Sequence, residues 1–247
     1  MTPRVSIVVP AYNEGERIIG ALDHLLASVT SPCEVLVVYD TPQDSTAAFA
    51  EGYARKDQRV LPTLNTYGRG PARAIRFGID QARAGVIVVT MADGSDDVTK
   101  IDPMVSLVEG GAAVVAASRY MRGGEQRGGP LLKRIMSRTA GLSLYWLARV
   151  GTHDPTNSFK AYAASFMRDA GIESDAGFEI GIELVAKARR LRLPVKEIPA
   201  VWLDRTEGES NFKLAKWLRH YLRWYVFAFG PRLRPDQLAR RLSEARS

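Results

Sequence analysis

The sequence predicts an α/β fold: a mostly parallel sheet flanked by helices, followed by an amphipathic C-terminal helix. Short apolar runs alternate with segments of helical period. The runs are apolar throughout, as strands buried on both faces are. Three of them end in acidic, turn-forming clusters, where ligands of such sheets bind.

Each element has its own signal. Residues 5–9 are β-rich and stop at Pro10. Residues 14–27 place Ile18, Ile19, Leu22, Leu25 and Leu26 at helical spacing. The strand over 34–38 ends in Asp40, Pro42 and Asp44. A helix is expected over 45–56, a strand over 59–64, and a helix over 71–84 with Ala74, Ile75, Ile79 and Ala82 on one stripe. The strand over 86–91 ends near Asp93. A helix over 100–109 and a strand over 112–117 complete the first half. Beyond it, 123–129 is a glycine-rich loop, 131–148 and 177–191 are helices, and 195–202 is a strand. Residues 212–229 form an aromatic, basic helix, and 232–247 are polar and expected to fray. The division is 1–211 as the main domain and 212–247 as helix and tail.

Composition excludes several classes. Of 247 residues, 46% are hydrophobic and 25% charged, which rules out collagenous and disordered chains. A single cysteine, Cys33, can form neither an internal disulfide nor a zinc site, and fits a reducing compartment. The longest stretches without charge are ten residues, against about 20 for a spanning helix, so no transmembrane segment is expected. The net charge of +7 is uneven: residues 205–247 hold ten Lys/Arg and four Asp/Glu, and residues 120–150 hold six and one. Such basic segments suit nucleic acid, anionic lipid or a phosphorylated small molecule, as well as plain solvation.

The strand-end residues carry the candidate chemistry. Asp93, Asp96 and Asp97 could supply oxygen ligands to magnesium or manganese bound to phosphate, or cap the following helix. Asp40 could bond a sugar hydroxyl or base edge, or open a turn. Asn13-Glu14 could cap a helix or touch a nucleotide. Arg119, Arg122, Arg127, Lys133, Arg134 and Arg138 cluster around the glycine-rich loop, where guanidinium forks match phosphate. No G-x-S-x-G, Walker A, G-x-G-x-x-G or zinc-deaminase pattern occurs, so the chemistries they support lose ground.

In order, these pieces resemble family 2 glycosyltransferases, and among them the dolichol-phosphate mannosyltransferase-like, polyprenyl-phosphate branch. The matching residues are Val8 to Glu14, Asp40, Met91-Ala-Asp93, Ala117-Ser-Arg119-Tyr120, Lys133-Arg134 with Ser137-Arg138, Asp154 to Phe159, Gly177-Phe with Glu183, and Asp204 to Ser210. The resemblance implies a GT-A (Rossmann-like) catalytic domain, a nucleotide-diphosphate sugar donor, and inversion of a mannose- or glucose-type sugar. It implies that Pro10, Tyr12, Glu14 and Asp40 hold the nucleoside. Asp93, matching the second acid of the D-x-D motif, binds diphosphate and a Mg2+ or Mn2+ ion. Arg119 and Arg205 meet phosphates, and Lys133, Arg134, Ser137 and Arg138 the acceptor phosphate. The first acid of D-x-D is Met91 here, and Asp96 or Asp97 is the candidate replacement.

If the acceptor is polyprenyl phosphate, it is already an anionic nucleophile and needs no base. A hydroxyl acceptor would need a carboxylate, for which Asp154 and Glu179 are candidates. A soluble small-molecule acceptor is the rival within the class, and a nucleic-acid-binding module the rival outside it, although no nucleic-acid partner is expected. The 212–229 helix interleaves Phe212, Trp217, Leu218 and Trp224 with Lys213, Lys216, Arg219 and Arg223. It suits either an anionic lipid surface or packing on the domain. The expected location is cytoplasmic, with peripheral contact at the inner membrane face. Oligomeric state is open.

Overall fold

The central strands share one sheet because their apolar sequences leave neither face able to meet water. The computed structural model describes residues 2–204 and 214–244, with backbone alone for 214–217, 239 and 244. Strands β1 (Val5–Pro10) and β2 (Cys33–Tyr39) are buried at every position. β1 pairs in parallel with β2 and with β4 (Val86–Val89), and β2 with β3 (Val60–Leu64). Helices α1 (Arg17–Ser28), α2 (Ser45–Ala54) and α3 (Pro71–Gln81) make the crossovers. After β4, a short 3-10 turn leads into α4 (Ile101–Glu109) and β5 (Val114–Ser118).

The chain then leaves the sheet. β6 (Glu125–Arg127) lies in the glycine-rich loop, and α5 (Leu131–Ser143) runs on into a π turn (Leu144–Ala148). β7 (Lys160–Ala163) inserts between β4 and β5, antiparallel to both. Helices α6 (Ala164–Ala170) and α7 (Ile180–Leu191) follow. β8 (Val195–Pro199) then joins β5, and β9 (Val201–Leu203) pairs with β6. The sheet order is β3-β2-β1-β4-β7-β5-β8.

Alternate residues of β1 feed two cores. Val8 joins α3 and α7 on one side, and Ile7 and Val9 join α1 and α4 on the other. α8 (Leu214–Ala228) and α9 (Pro235–Glu244) belong to the first core through Trp224, Ala228 and Leu238.

The expected elements form, with five differences, one of them α6, which lies where the sequence reading places no element. β7 escapes the pattern because Lys160-Ala-Tyr-Ala163 has no apolar run; its Lys160 is nevertheless buried. The single strand expected over 195–202 is two, because after Pro199 the chain switches from β5 to the β6 ribbon. β6 itself, in the segment expected to be loop, is three polar residues. The expected frayed tail contains α9, since Leu238 is buried and Arg241 pairs with Glu173 at 3.0 Å. Among the described residues no helix is long and apolar enough to cross a membrane.

Charge fastens α8 and α9 to the domain. Glu173 pairs with Lys187, Arg223 and Arg241, and fully buried Lys187 also bonds Glu183 at 2.6 Å. Trp224 lies among these cations with 1% of its surface exposed, its ring 4.8 Å from the Arg223 guanidinium. Trp224→Ala is expected to cost about 3–5 kcal/mol in urea unfolding, the range for emptying a large aromatic site. A loss under about 1 kcal/mol would show that α8 is no part of the core.

Candidate active site

Sheet topology gathers the candidate residues at one rim. The chain winds from β1 to β3 in one direction and then restarts at β4 on the other side of β1, which opens a crevice at the carboxyl ends. Pro10, Asp40, Asp93 and Arg119 lie at or just beyond the carboxyl ends of β1, β2, β4 and β5. Antiparallel β7 brings its first residue, Lys160, to the same rim, opposite Val89 and Ala116.

The first loop is built around Asp44. Its side chain caps α2 by accepting from Thr46 N at 2.8 Å, and also accepts from Asn13 N at 3.1 Å. Asn13 takes a left-handed backbone, φ 54°, which asparagine tolerates, and its Oδ1 accepts from Ser45 N. Tyr12 is thereby pushed into solvent, while Glu14 is partly covered and pairs with Arg17 at 3.4 Å. Asp40 accepts from Asn65 Nδ2 at 2.8 Å and Gly70 N at 2.7 Å, so it organises the loop that enters α3.

The three acids after β4 divide their work. Asp93, half-buried at the rim, accepts from Ser95 N at 3.0 Å. Asp96 turns inward, where one oxygen accepts from Thr90 Oγ1 at 3.0 Å and Met91 N at 2.9 Å. Burial pushes its carboxyl up to about 6, with Asp93 adding to the rise, against the pull of the Met91 N–H, Thr90 and Arg119. Asp97 bonds Thr99 and pairs with Lys100 at 3.6 Å. The turn is tied to β9, since Leu203 N donates to Ser95 O.

Arg119 is held from below. Its Nε and Nη2 donate to the two oxygens of Asp154 at 2.7 and 2.9 Å, and its backbone N donates to the same carboxylate. Asp154 is 0% exposed. Burial alone would raise its pKa, but Arg119 holds it below the usual carboxylate range. Burial likewise works against the Arg119 charge, and Asp154 more than restores it, so the guanidinium stays protonated. Ser137 of α5 closes the frame, its Oγ 3.4 Å from Arg119 Nη2 and 2.6 Å from Thr156 Oγ1.

α5 thus reaches the rim through Ser137, with Lys133 and Arg134 partly covered and Arg138 exposed on the same helix. The helix starts after Gly128 and Gly129, both at positive φ. A Cβ on Gly128 would sit 2.7 Å from the Asp204 side chain, so the approach of β9 demands glycine. Arg205 lies outside the described residues.

Sequence reasoning passed over two groups here. Asn157 Nδ2 donates to Ala117 O at 2.9 Å, joining the Asp154 loop to β5. Lys160 donates to Asn157 O, and burial drives its ammonium down to about 7 despite Asp154 nearby. A lysine opening a short strand carries no pattern of its own.

The family pattern described as glycosyl transferase family 2 matches residues 6–171. Polyprenol monophosphomannose synthase of Mycolicibacterium smegmatis is 29% identical over 235 residues, 87% of this chain and 87% of that protein. Dolichol-phosphate mannosyltransferase of Pyrococcus furiosus is 27% identical, over 89% of this chain and 63% of that protein. Glucosyl-3-phosphoglycerate synthase from Mycobacterium tuberculosis, solved with Mn2+, UDP and phosphoglyceric acid, superposes with a TM-score of 0.62. It is 17% identical, over 93% of this chain and 79% of that one. That likeness is one of fold, the GT-A arrangement.

Two outcomes test the frame. Asp154→Asn leaves Arg119 buried without its countercharge and is expected to cost about 3–5 kcal/mol in urea unfolding. For Lys160, the folded chain releases the proton near 7 and the unfolded chain near 10.5. Between those values the unfolded state binds more protons, so stability rises with pH. The gain from pH 7 to pH 9 should exceed that of Lys160→Met by about 2 kcal/mol. An identical pH response in the two proteins would contradict the shift.

Proposed function

Because the chain belongs to glycosyl transferase family 2, we propose that it moves a mannose- or glucose-type sugar from a nucleotide-diphosphate donor to a polyprenyl phosphate, with inversion. One observation carries the reading: Arg119, kept charged and rigid by Asp154, stands at the same rim as Asp40, Asp93 and the basic helix α5. The names of the two mannosyl-transferring relatives favour a lipid-phosphate acceptor.

Donor binding falls to the acidic side of the rim. Pro10, Tyr12, Glu14 and Asp40 flank the nucleoside, with the exposed Tyr12 ring able to pack on a base. Asp93 faces the diphosphate. Its carboxylate fits Mg2+ or Mn2+, which take oxygen ligands, whereas Met91 offers only a soft thioether. Asp93 would hold the ion, with Asp96 and Asp97 behind it shaping the turn. Bound there, the ion would neutralise charge growing on the departing diphosphate.

The basic side does the remaining work. Arg119 uses Nε and Nη2 on Asp154, which leaves the Nη1 edge to meet phosphate. Asp154, enclosed with both oxygens on Arg119, acts as a positioning residue. Lys133, Arg134, Ser137 and Arg138 receive the acceptor phosphate, and Arg205 joins the phosphate-binding group. A phosphate acceptor is already anionic, so orientation and charge neutralisation supply the catalysis and no base is needed.

The outward faces of α5 and α8 support delivery from a membrane surface. Leu131, Leu132 and Ile135 of α5 and Trp146 and Leu147 of the π turn are exposed, the last two by 69% and 71%. Leu218, Leu222 and Val226 form an exposed stripe on α8, beside Arg219 and Arg223, while Trp224 packs inward. Ser143 and Tyr225 bond across at 2.9 Å, which joins α5 to α8. Exposed apolar groups rimmed by cations suit peripheral binding to anionic lipid.

The test supplies labelled GDP-mannose or UDP-glucose with manganese, polyprenyl phosphate in anionic vesicles, and soluble hydroxyl acceptors in competition. Label is expected in the lipid fraction, and Asp93→Ala should lower turnover at least about tenfold while remaining folded. Label confined to soluble products would overturn the lipid reading, and unchanged turnover in Asp93→Ala would remove that residue from the site.

A further inference from the structure

Outside the Asp93 turn, Asp175 and Glu179 form an acid pair with which no Lys or Arg makes an ion pair among the described residues. Glu179, the residue before α7, is 1% exposed. Its Oε1 accepts from Ala176 N at 3.0 Å, and its Oε2 has no hydrogen-bond partner among the described residues. A buried carboxylate oxygen left without a donor or cation is costly, and native structures rarely keep one without a reason. Asp175, four residues earlier, is exposed. Among the described residues no Lys or Arg forms an ion pair with either acid, although Glu173 in the same loop has three such partners. From α8, His220 brings a ring nitrogen to the same place. One ligand atom from each of Asp175, Glu179 and His220 lies within 4.8 Å of the others.

We propose that Asp175, Glu179 and His220 form a binding site for a divalent transition metal of the zinc class, which clasps α8 to the start of α7. Two carboxylates and one imidazole make a mixed oxygen–nitrogen set that favours zinc over magnesium or calcium. Ligand atoms on one zinc ion lie about 3.3 Å apart, at bonds of about 2.0–2.1 Å. Glu179 is fixed by burial, so closure falls to rotation of exposed Asp175 and half-exposed His220. Metal binding also requires an unprotonated ring nitrogen. Arg219 Nε now donates to His220 Nε2 at 3.1 Å, and this exposed arginine must move aside or remain on the nitrogen not used. None of the three residues takes part in the proposed transfer to a lipid phosphate, and the site does not rest on that reaction; Glu179, named above as a candidate base for a hydroxyl acceptor, is 1% exposed.

The experiment uses the full chain, stripped with chelator and desalted, titrated with zinc alone by calorimetry, with the melting temperature followed in parallel. Wild type should take up one equivalent and melt higher with zinc, as a ligand of the folded state requires. Asp175→Asn and His220→Gln, both outside the deep core, should each weaken zinc at least about tenfold and abolish the rise in melting temperature. Asp93→Asn should bind zinc as wild type does, and Arg219→Ala should bind it more tightly by removing a competing positive charge. Unchanged zinc affinity in folded Asp175→Asn and His220→Gln would overturn the proposal. So would loss of the same affinity in Asp93→Asn, which would put the ion at the β4 turn instead.

Discussion

The ion pair between Arg119 and Asp154 is the constraint on which the rim depends. It joins the residue after β5 to the loop that leads into β7. That loop also bonds β5 through Asn157 and touches α5 through Thr156. Two charges taken out of water must stay together, because either alone would be left uncompensated in a poor solvent. The pair therefore fixes the antiparallel insertion of β7 and the seat of α5 at once. It also keeps a positive charge where the sheet would otherwise present acids alone.

Charge is sorted across the molecule rather than scattered. Carboxylates follow β1, β2 and β4, and cations follow β5 and line α5. A diphosphate between the two sides would meet cations from one and, with a metal ion, a neutralised face on the other. At the far end of the strands the pattern differs. Glu34 is buried, and burial would raise its pKa, but Ser6 and Arg83 outweigh that and keep it ionised. That network finishes the ends of β1 and β2 and ties to them the chain entering β4, since Arg83 N and Ala84 N donate to Ser6 and Glu34.

α8 meets two environments by turning two faces. Trp224 and Ala228 enter the core beside α7, where Lys187 and Arg223 lie over the indole. Leu218, Leu222 and Val226 point the other way, without cover. Aromatic character in the sequence of this helix thus belongs partly to packing. Among the described residues of α8, what is left outside is aliphatic and cationic.

Alternation of uniformly apolar runs with helical periods was enough to determine a parallel sheet covered on both sides, because burial of both faces leaves its mark in every residue of β1, β2 and β4. Strand-end acids and the ordered motifs marked the rim and the family, since a turn residue and its chemistry sit within a few positions of each other. β7, the β6–β9 ribbon and α9 were not legible, because each is stabilised by partners distant in sequence. Lys160 is tolerated in the interior only beside Asp154 and Asn157, and α9 is held by Glu173. The same holds for the division of labour among carboxylates. Spacing could nominate Asp93, Asp96, Asp97, Asp154 and Glu179, but only three-dimensional packing decides which oxygen meets a backbone N–H, which a guanidinium, and which none. The free energy of a charge is set by its solvent and neighbours, and the linear chain does not contain them.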